Sequence, residues 1–497
     1  MNVRIINLLK NKSWPFWITV ISFSFSLFII LGCNILPFFR DDTIYFNAAR
    51  QFCDHLTTYG NTIINFDYSK IGEFNWYGPG YHLVYGFISS VFGFHSGKTS
   101  LVFHLVLWYI IILIIRRQFP ENANYISITL IASPYLNFIF TFYPVILNSV
   151  VTIIGFLILL KTMSNNIKST SRNVVLFMLT LVFGTFLRIT HIFNFALLYS
   201  FTKSKKHFFI ITIFFLSLVG LTWGYQLWFC APMYIAADDV VNNLIATSPL
   251  TLLFTVLKNF VANAIKNLLL FDHISLQIWL SVLITLSSPL LVPKTRFAEI
   301  KHLYFGVLLF NASLLFVLFG LYTARPFYIN KQFIVLFPVN IIFLFVFIAH
   351  SKKIKNIIIG LNLLFLPSTI RETLRILDAS QKTHNQTLSS PINLGISDFI
   401  ASKTKTKNTQ MVNVLMDHKS FGTISESEYC ALMCLLPYNN NFGQQLRYVF
   451  IIPTPTSPNF FDDPRSNYYV SLQKESNTDK LKLVDKKDRL YMYEVLH

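Results

Sequence analysis

The stretch "PFFRDDTIYFNAARQF", residues 37 to 52, follows directly on the first long apolar run of the chain. Up to Pro37 the sequence reads as lipid-buried helix. Then Arg40, Asp41 and Asp42 stand side by side, in a chain where charged residues are only 13% of the total. Two acids at the mouth of the first span either end a helix in water or do chemistry there. The rest of the sequence has to separate those readings.

Soluble domains carry about 25% charged residues, roughly twice the share here. Apolar residues make up 53%, 51 of 497 residues are Phe, and mean hydropathy is +0.51. Apolar runs near the ~20 residues that cross a bilayer recur to about residue 370. The chain reads as a polytopic α-helical membrane protein. Its net charge of +18 would suggest nucleic acid in a soluble protein. Here the Lys and Arg residues fall in loops between spans, so the charge is assigned to orientation and no nucleic-acid partner is expected. The basic N-terminus precedes its apolar run without a small-residue cleavage site, as a retained anchor would.

Basic clusters fall at Arg4/Lys10/Lys12, Arg116/Arg117, Lys161 to Arg172, Lys203 to Lys206, Lys294 to Lys301 and Lys352 to Lys355. Each gap between clusters has room for a pair of spans, and cytoplasmic placement of every cluster satisfies the charge rule. About eleven spans result: 14–36, 100–115, 124–142, 144–160, 173–188, 190–202, 207–229, 274–292, 303–322, 333–349 and 356–370. The pair at 173–202 is short, which suggests broken helices. The last span is also short and contains Pro367. The first outer loop, 37–98, is far longer than the ~15 residues beyond which loops are usually functional. Residues 247–271 place Leu, Phe and Val at helical spacing among Lys and Asn, the pattern of an interfacial helix.

Residues 1–370 thus form a membrane domain, 371–400 a linker, and 401–497 a small soluble α/β domain on the outer side. In the last, "MVNVLMD" and "RYVFIIP" read as buried strands and "LKLVDKKDRLYMYEV" as a hairpin. "TISESEYCALMCLL" reads as a helix, capped by Thr423 with Glu426 or by Ser425 with Glu428. The five Cys residues form no metal-type C-x-x-C pair, and free thiols are expected.

The acids can now be placed. An aspartate in a partly desolvated cleft can accept a proton from a hydroxyl. Arg40 beside the pair would hold one acid ionised. Asp41-Asp42, then Tyr45 three residues beyond, then "EFNWYGPGYHLVYGF" late in the same loop, resemble the outer-loop signature of the GT-C glycosyltransferases. These membrane enzymes include the protein O-mannosyltransferases and the lipid A aminoarabinose transferases. "GTFLRITHIF", with Arg188 and His191, and "YTARPFYINKQFIVLFP", with Arg325, Tyr328 and Lys331, resemble that family's lipid-phosphate segments. The chain departs from the family where many members carry an acid between the third and fourth spans. Here that turn is "TFYPVILNSV", with Asn148 the nearest candidate.

The resemblance implies a GT-C-like fold and sugar transfer from a polyprenyl-phosphate donor to a hydroxyl of a glycan, lipid or protein. The site would face outward from a bacterial inner membrane. Asp41 would be the general base, with Asp42 positioning it or the acceptor. Arg188, Arg325 and Lys331 would bind the donor phosphate, Arg through bidentate contacts. Tyr45, Trp76, Tyr77, Tyr81, His82, His191 and Tyr328 form a second tier of substrate contacts. No cofactor is expected. A divalent metal would have to recruit Asp238, Asp239 or Asp272, so metal-independent chemistry is expected. The rival readings are a transporter or lipid flippase, and an O-antigen polymerase or ligase. No two-fold repeat supports the first, and the position of the long acidic loop disfavours the second.

Overall fold

The computed structural model describes residues 14–56, 62–64, 78–164, 167–202, 204–230, 249–269, 273–321, 331, 333–405, 411–451, 460–475 and 479–497. Arg325, Tyr328, Trp76, Tyr77, Asp238, Asp239 and Asp272 lie outside these residues.

The described residues open on helix α1 (Trp14–Gly32) and, after Pro37, helix α2 (Arg40–His55). A three-residue strand, β1 (Thr62–Ile64), follows in the long segment after α2. Helix α3 (His82–Phe92) opens on a π-helical turn and leads to α4 (Lys98–Gln118). The expected third span is broken into α5 (Ala123–Ile131) and α6 (Tyr135–Ile139), with Pro134 at the break. Proline lacks the N–H that a continuous helix needs. Next come α7 (Val145–Ser164) and α8 (Ile167–Leu187). Of the pair expected as broken helices, the first is a regular 21-residue helix and only the second, a 3-10 helix over Ile189–Phe201, is irregular.

Helix α9 (Lys205–Phe229) is followed by α10 (Pro249–Leu269), α11 (His273–Leu286), α12 (Lys294–Leu315) and α13 (Leu336–Phe343). The amphipathic α10 packs on a π-helical segment, Phe316–Leu321, that continues α12. There Asn263 donates to the Phe319 carbonyl at 2.8 Å. A π-helical turn leaves carbonyls displaced from the regular ladder, and the asparagine satisfies one of them.

Six described helices are long and apolar enough to cross a membrane, and five shorter apolar helices of 10–17 residues accompany them. Helices α1 and α9 turn Phe25, Phe28, Phe209 and Leu216 outward, as lipid-facing surfaces require.

The two ends of the helical body are chemically distinct. At one, Lys355 donates to Asn122 and lies over the Tyr125 ring, while Arg116 donates to Asn124 and Ser127. Two of the basic loops therefore meet. Helix α14 (Lys352–Leu363) starts here and breaks at 364–365, where Pro367 sits in the first turn of α15 (Leu366–Ser389). At the far end Thr373 donates to Asn137, and Ser380 both accepts from Leu36 N–H and donates to Leu36 O. Residues 352–389 thus run from the basic end to the end that carries Asp42. The stretch expected as a linker from residue 371 is largely the body of α15, one face of which buries Thr373, Ile376, Ser380 and Thr383 at helical spacing.

Helix α16 (Ile396–Lys403) leads into the C-terminal sheet: β2 (Met411–Asp417), β3 (Gln445–Ile451), β4 (Ser466–Ser471), β5 (Leu481–Lys487) and β6 (Leu490–Val495). Strand order is β1-β3-β2-β4-β6-β5; the first four are parallel, and β6 and β5 form the antiparallel hairpin. Strand β1 comes from the long segment between α2 and α3 and pairs Thr62, Ile63 and Ile64 with Tyr448, Val449 and Phe450. Helix α17 (Glu426–Leu435) is capped by Ser425, whose Oγ accepts the Glu428 N–H, so the second of the two capping registers is the one formed. Cys430 and Cys434 are buried on this helix and form no disulfide.

Candidate functional site

Helix α2 is polar yet buried along most of its length, and that combination locates the site. Its first turn carries Asp41 and Asp42, whose side chains leave the helix in different directions. Asp41 keeps 19% of its side chain open and accepts a 2.5 Å bond from the ammonium of Lys331, itself only 2% exposed. Asp42 is fully buried. One of its oxygens accepts the Phe142 backbone N–H at 2.8 Å. Its other oxygen has no hydrogen-bond partner among the described residues. Burial pushes the Asp42 carboxyl well above the usual carboxylate range; the Phe142 N–H and the Lys331 charge oppose that rise, and Asp41 adds to it.

Lys331 is the hub of the site. Besides Asp41 it lies 4.4 Å from the centre of the Tyr143 ring, a cation–π contact that offsets part of its desolvation. Burial pulls its pKa down, and the nearby Arg188 guanidinium pulls in the same direction, while Asp41 and Asp42 hold it up. Two buried cations therefore share the field of two acids. Arg188 is buried at the junction of α8 with the 3-10 helix.

An aromatic wall closes the site. Tyr45, one turn along from Asp41 and Asp42, meets Tyr81 edge-on at 4.7 Å and Tyr143 at 5.9 Å. Tyr81 stacks on Tyr85 at 4.1 Å and donates to the Phe142 carbonyl at 3.1 Å. Residue 142 thus gives its N–H to Asp42 and its carbonyl to Tyr81. Close approach of backbones holds this wall in place. A Cβ at Gly80 would stand 2.4 Å from the Phe186 carbonyl, and one at Gly86 would stand 2.3 Å from Phe52 on α2. Only glycine lets these chains meet.

The structure brings together Asp41, Asp42, Lys331, Arg188, Tyr45 and Tyr81. It places His82 in the same buried wall, where burial pulls its pKa down to about 4. His191 stands apart from the acids in a polar row: Asn194 bonds His191 Nδ1 at 2.8 Å and Thr152 at 2.9 Å. Thr152 in turn donates to the Asn148 carbonyl. Asn148 meets that row through its backbone carbonyl.

One expectation is corrected. Arg40 does not face the acids; it bonds Glu426 and lies 4.4 Å over Tyr429. The cation on Asp41 is Lys331. Phe142 and Tyr143 carry no sequence signal for their roles: this turn contributes a backbone N–H and an aromatic face, and its Tyr-Pro pair is the one mark of it in the sequence. Among the described residues no group of three or more His, Cys, Asp or Glu side chains gathers to hold a metal ion.

No family model matches the chain, and no curated protein matches it. Two solved structures are similar to it. One is the apo oligosaccharyltransferase of Archaeoglobus fulgidus, at 11% identity and TM-score 0.48, covering 93% of this chain and 70% of that one. The other is apo ArnT of Cupriavidus metallidurans, at 11% identity and TM-score 0.47, covering 96% and 97%. Likeness at this level carries no functional argument; the function is argued from the site.

Proposed function

We propose that this chain transfers a sugar from a polyprenyl-phosphate-linked donor to an acceptor hydroxyl, on the outer face of a bacterial cell membrane. The observation that carries this reading is the Lys331–Asp41 pair at the mouth, next to the buried Asp42. Asp41 is the acid with an open side, so it takes the acceptor proton. The acceptor oxygen bonds to the anomeric carbon as the bond from that carbon to the phosphate oxygen breaks, with inversion. A phosphate leaves as a stable anion and needs cations more than a proton donor. Arg188 supplies one, Arg325 a second, and Lys331, bonded to Asp41, holds that carboxylate in place. Asp42, held by the Phe142 N–H, fixes the first turn of α2.

An open, mostly apolar groove of about 820 Å³ supports a lipid-linked substrate; its lining includes Leu31, Ile88, Phe92, Phe103, His95 and Lys98. Lys331 puts a positive charge on Asp41 within the protein itself, which supports metal-independent transfer.

Mass spectrometry of cell-surface glycans and lipids, with and without the protein, tests the reading. Loss of one glycan mass in the deletion, restored by the wild type and not by Asp41→Asn, is expected. Movement of labelled lipid across vesicles by purified protein, with no sugar transferred, would overturn it in favour of a transporter.

A further inference from the structure

The acid helix α2 has no cap of its own. Phe39, the residue before it, offers no side-chain acceptor, and the first four N–H groups of a helix have no partner within it. A carboxylate from the C-terminal domain takes that place. Glu426 Oε1 accepts the Arg40 backbone N–H at 3.0 Å, and Oε2 accepts from Arg40 Nε at 3.3 Å. One side chain, 386 residues away, thus takes the first N–H of the helix and the guanidinium of the same residue, while the Asp42 and Thr43 N–H groups bond the Phe39 carbonyl. A negative charge at this end also suits the helix dipole.

The two helices serve each other at both ends. Further along α2, Asn47 donates to the Met433 carbonyl at 3.1 Å and Arg50 to the Cys434 carbonyl at 2.7 Å. Those carbonyls belong to the last turn of α17, where intrahelical donors run out. Arg50 also lies 4.9 Å over the Tyr438 ring. Arg40, Asn47 and Arg50 share one face of α2 by helical spacing. Asp41 and Asp42 leave other faces, toward Lys331 and Phe142. Beyond the helix, β1 stitches the same loop onto β3. The start, the body and the continuation of the acid helix are all held by the C-terminal domain.

We propose that Glu426 is a positioning residue for the acid pair, and that the C-terminal domain sets the register of Asp41 against Lys331 by capping and clamping α2. The statement that this serves catalysis rests on the sugar-transfer reading; the capping itself does not. Among the described residues Glu426 bonds Arg40 and makes no ion pair with Asp41 or Asp42, so it acts through the helix it caps.

Hydrogen exchange by mass spectrometry on the full-length protein in detergent tests the capping. Glu426→Ala is expected to speed exchange of the Arg40–Asn47 amides about five-fold, the effect of losing an N-cap, with the β5–β6 hairpin unchanged. Glu426→Gln keeps an acceptor for the Arg40 N–H and is expected to stay within about two-fold of wild type. Exchange in Glu426→Ala within two-fold of wild type at α2 would overturn the proposal. So would an equal rise in the hairpin, which would mark general loosening.

Sugar transfer by the same variants tests the positioning. Glu426→Ala is expected to lower kcat about tenfold or more, as misplaced catalytic groups do, with acceptor KM within two-fold and partial rescue in Glu426→Gln. Faster exchange at α2 with unchanged kcat would confine Glu426 to a structural role and overturn its part in catalysis. If the wild type itself transfers no sugar, the functional reading fails while the exchange result still decides the capping.

Discussion

Helices α2 and α9 invert the ordinary rule of burial. Helix α9 is strongly apolar after its first turn, yet no residue of its most apolar window, within Lys205–Tyr225, is buried in the protein. Helix α2 carries Arg40, Asp41, Asp42, Asn47, Arg50 and Gln51, and nine of its sixteen residues are buried. Lipid explains the first: a surrounding solvent of hydrocarbon makes exposure of Phe and Leu costless. Nothing so cheap explains the second, because buried polar groups need partners and buried charges need opposite charges. The chain meets that need with Lys331, Phe142, Glu426 and the carbonyls of Met433 and Cys434. Placing so many long-range partners around one helix is the reason to look for function there and not on α9.

The contrast can be broken by substitution, most severely at the acids. Asp41→Asn keeps shape and removes the base, and sugar transfer is expected to fall by roughly 10²–10⁴ in a purified-protein assay. Lys331→Met leaves Asp41 without its cation. Removing one partner of such a pair costs about 3 kcal/mol, read as a lower thermal midpoint in detergent, with transfer reduced as well.

Asp42 sharpens the comparison through pH. Its folded pKa is raised by burial, so the folded state holds its proton where the unfolded state has lost it. That favours folding at pH values below the unfolded carboxylate value of about 3.9. The benefit is lost as pH rises toward the folded pKa. Asp42→Asn should therefore be increasingly stabilised relative to wild type as pH rises from 4 to 8, with no difference at the acid end. Thermal midpoints across that range check it; an advantage that shrinks with rising pH would contradict the burial argument. On the other helix, Leu216→Ala is expected to change stability by less than about 0.5 kcal/mol, since Leu216 faces outward.

Much of this was legible in the sequence. Periodicity and basic loops marked the helical body, and alternation and capping residues marked β2, β3, the closing hairpin and α17. The acid pair, its Tyr45 and the cations Arg188 and Lys331 stood out because charge is scarce in this chain. Partner choice did not stand out. Arg40 sits beside Asp41 in sequence but pairs with Glu426, while Asp41 pairs with Lys331, 290 residues away. Local order cannot encode which distant side chain reaches a helix end. Strand β1 was missed for the same reason: three residues carry no period, and only the edge of β3 makes them a strand.

The central claim is that Asp41 and Lys331 act as one unit at the mouth of the site. A double-mutant cycle on the transfer rate tests it most directly, with purified wild type, Asp41→Asn, Lys331→Met and the double variant. If the pair works as a unit, the double variant should be no slower than Asp41→Asn alone, within about two-fold, because Lys331 has nothing left to aim. Losses that multiply across the two single variants would contradict it, and so would an Asp41→Asn enzyme turning over at the wild-type rate.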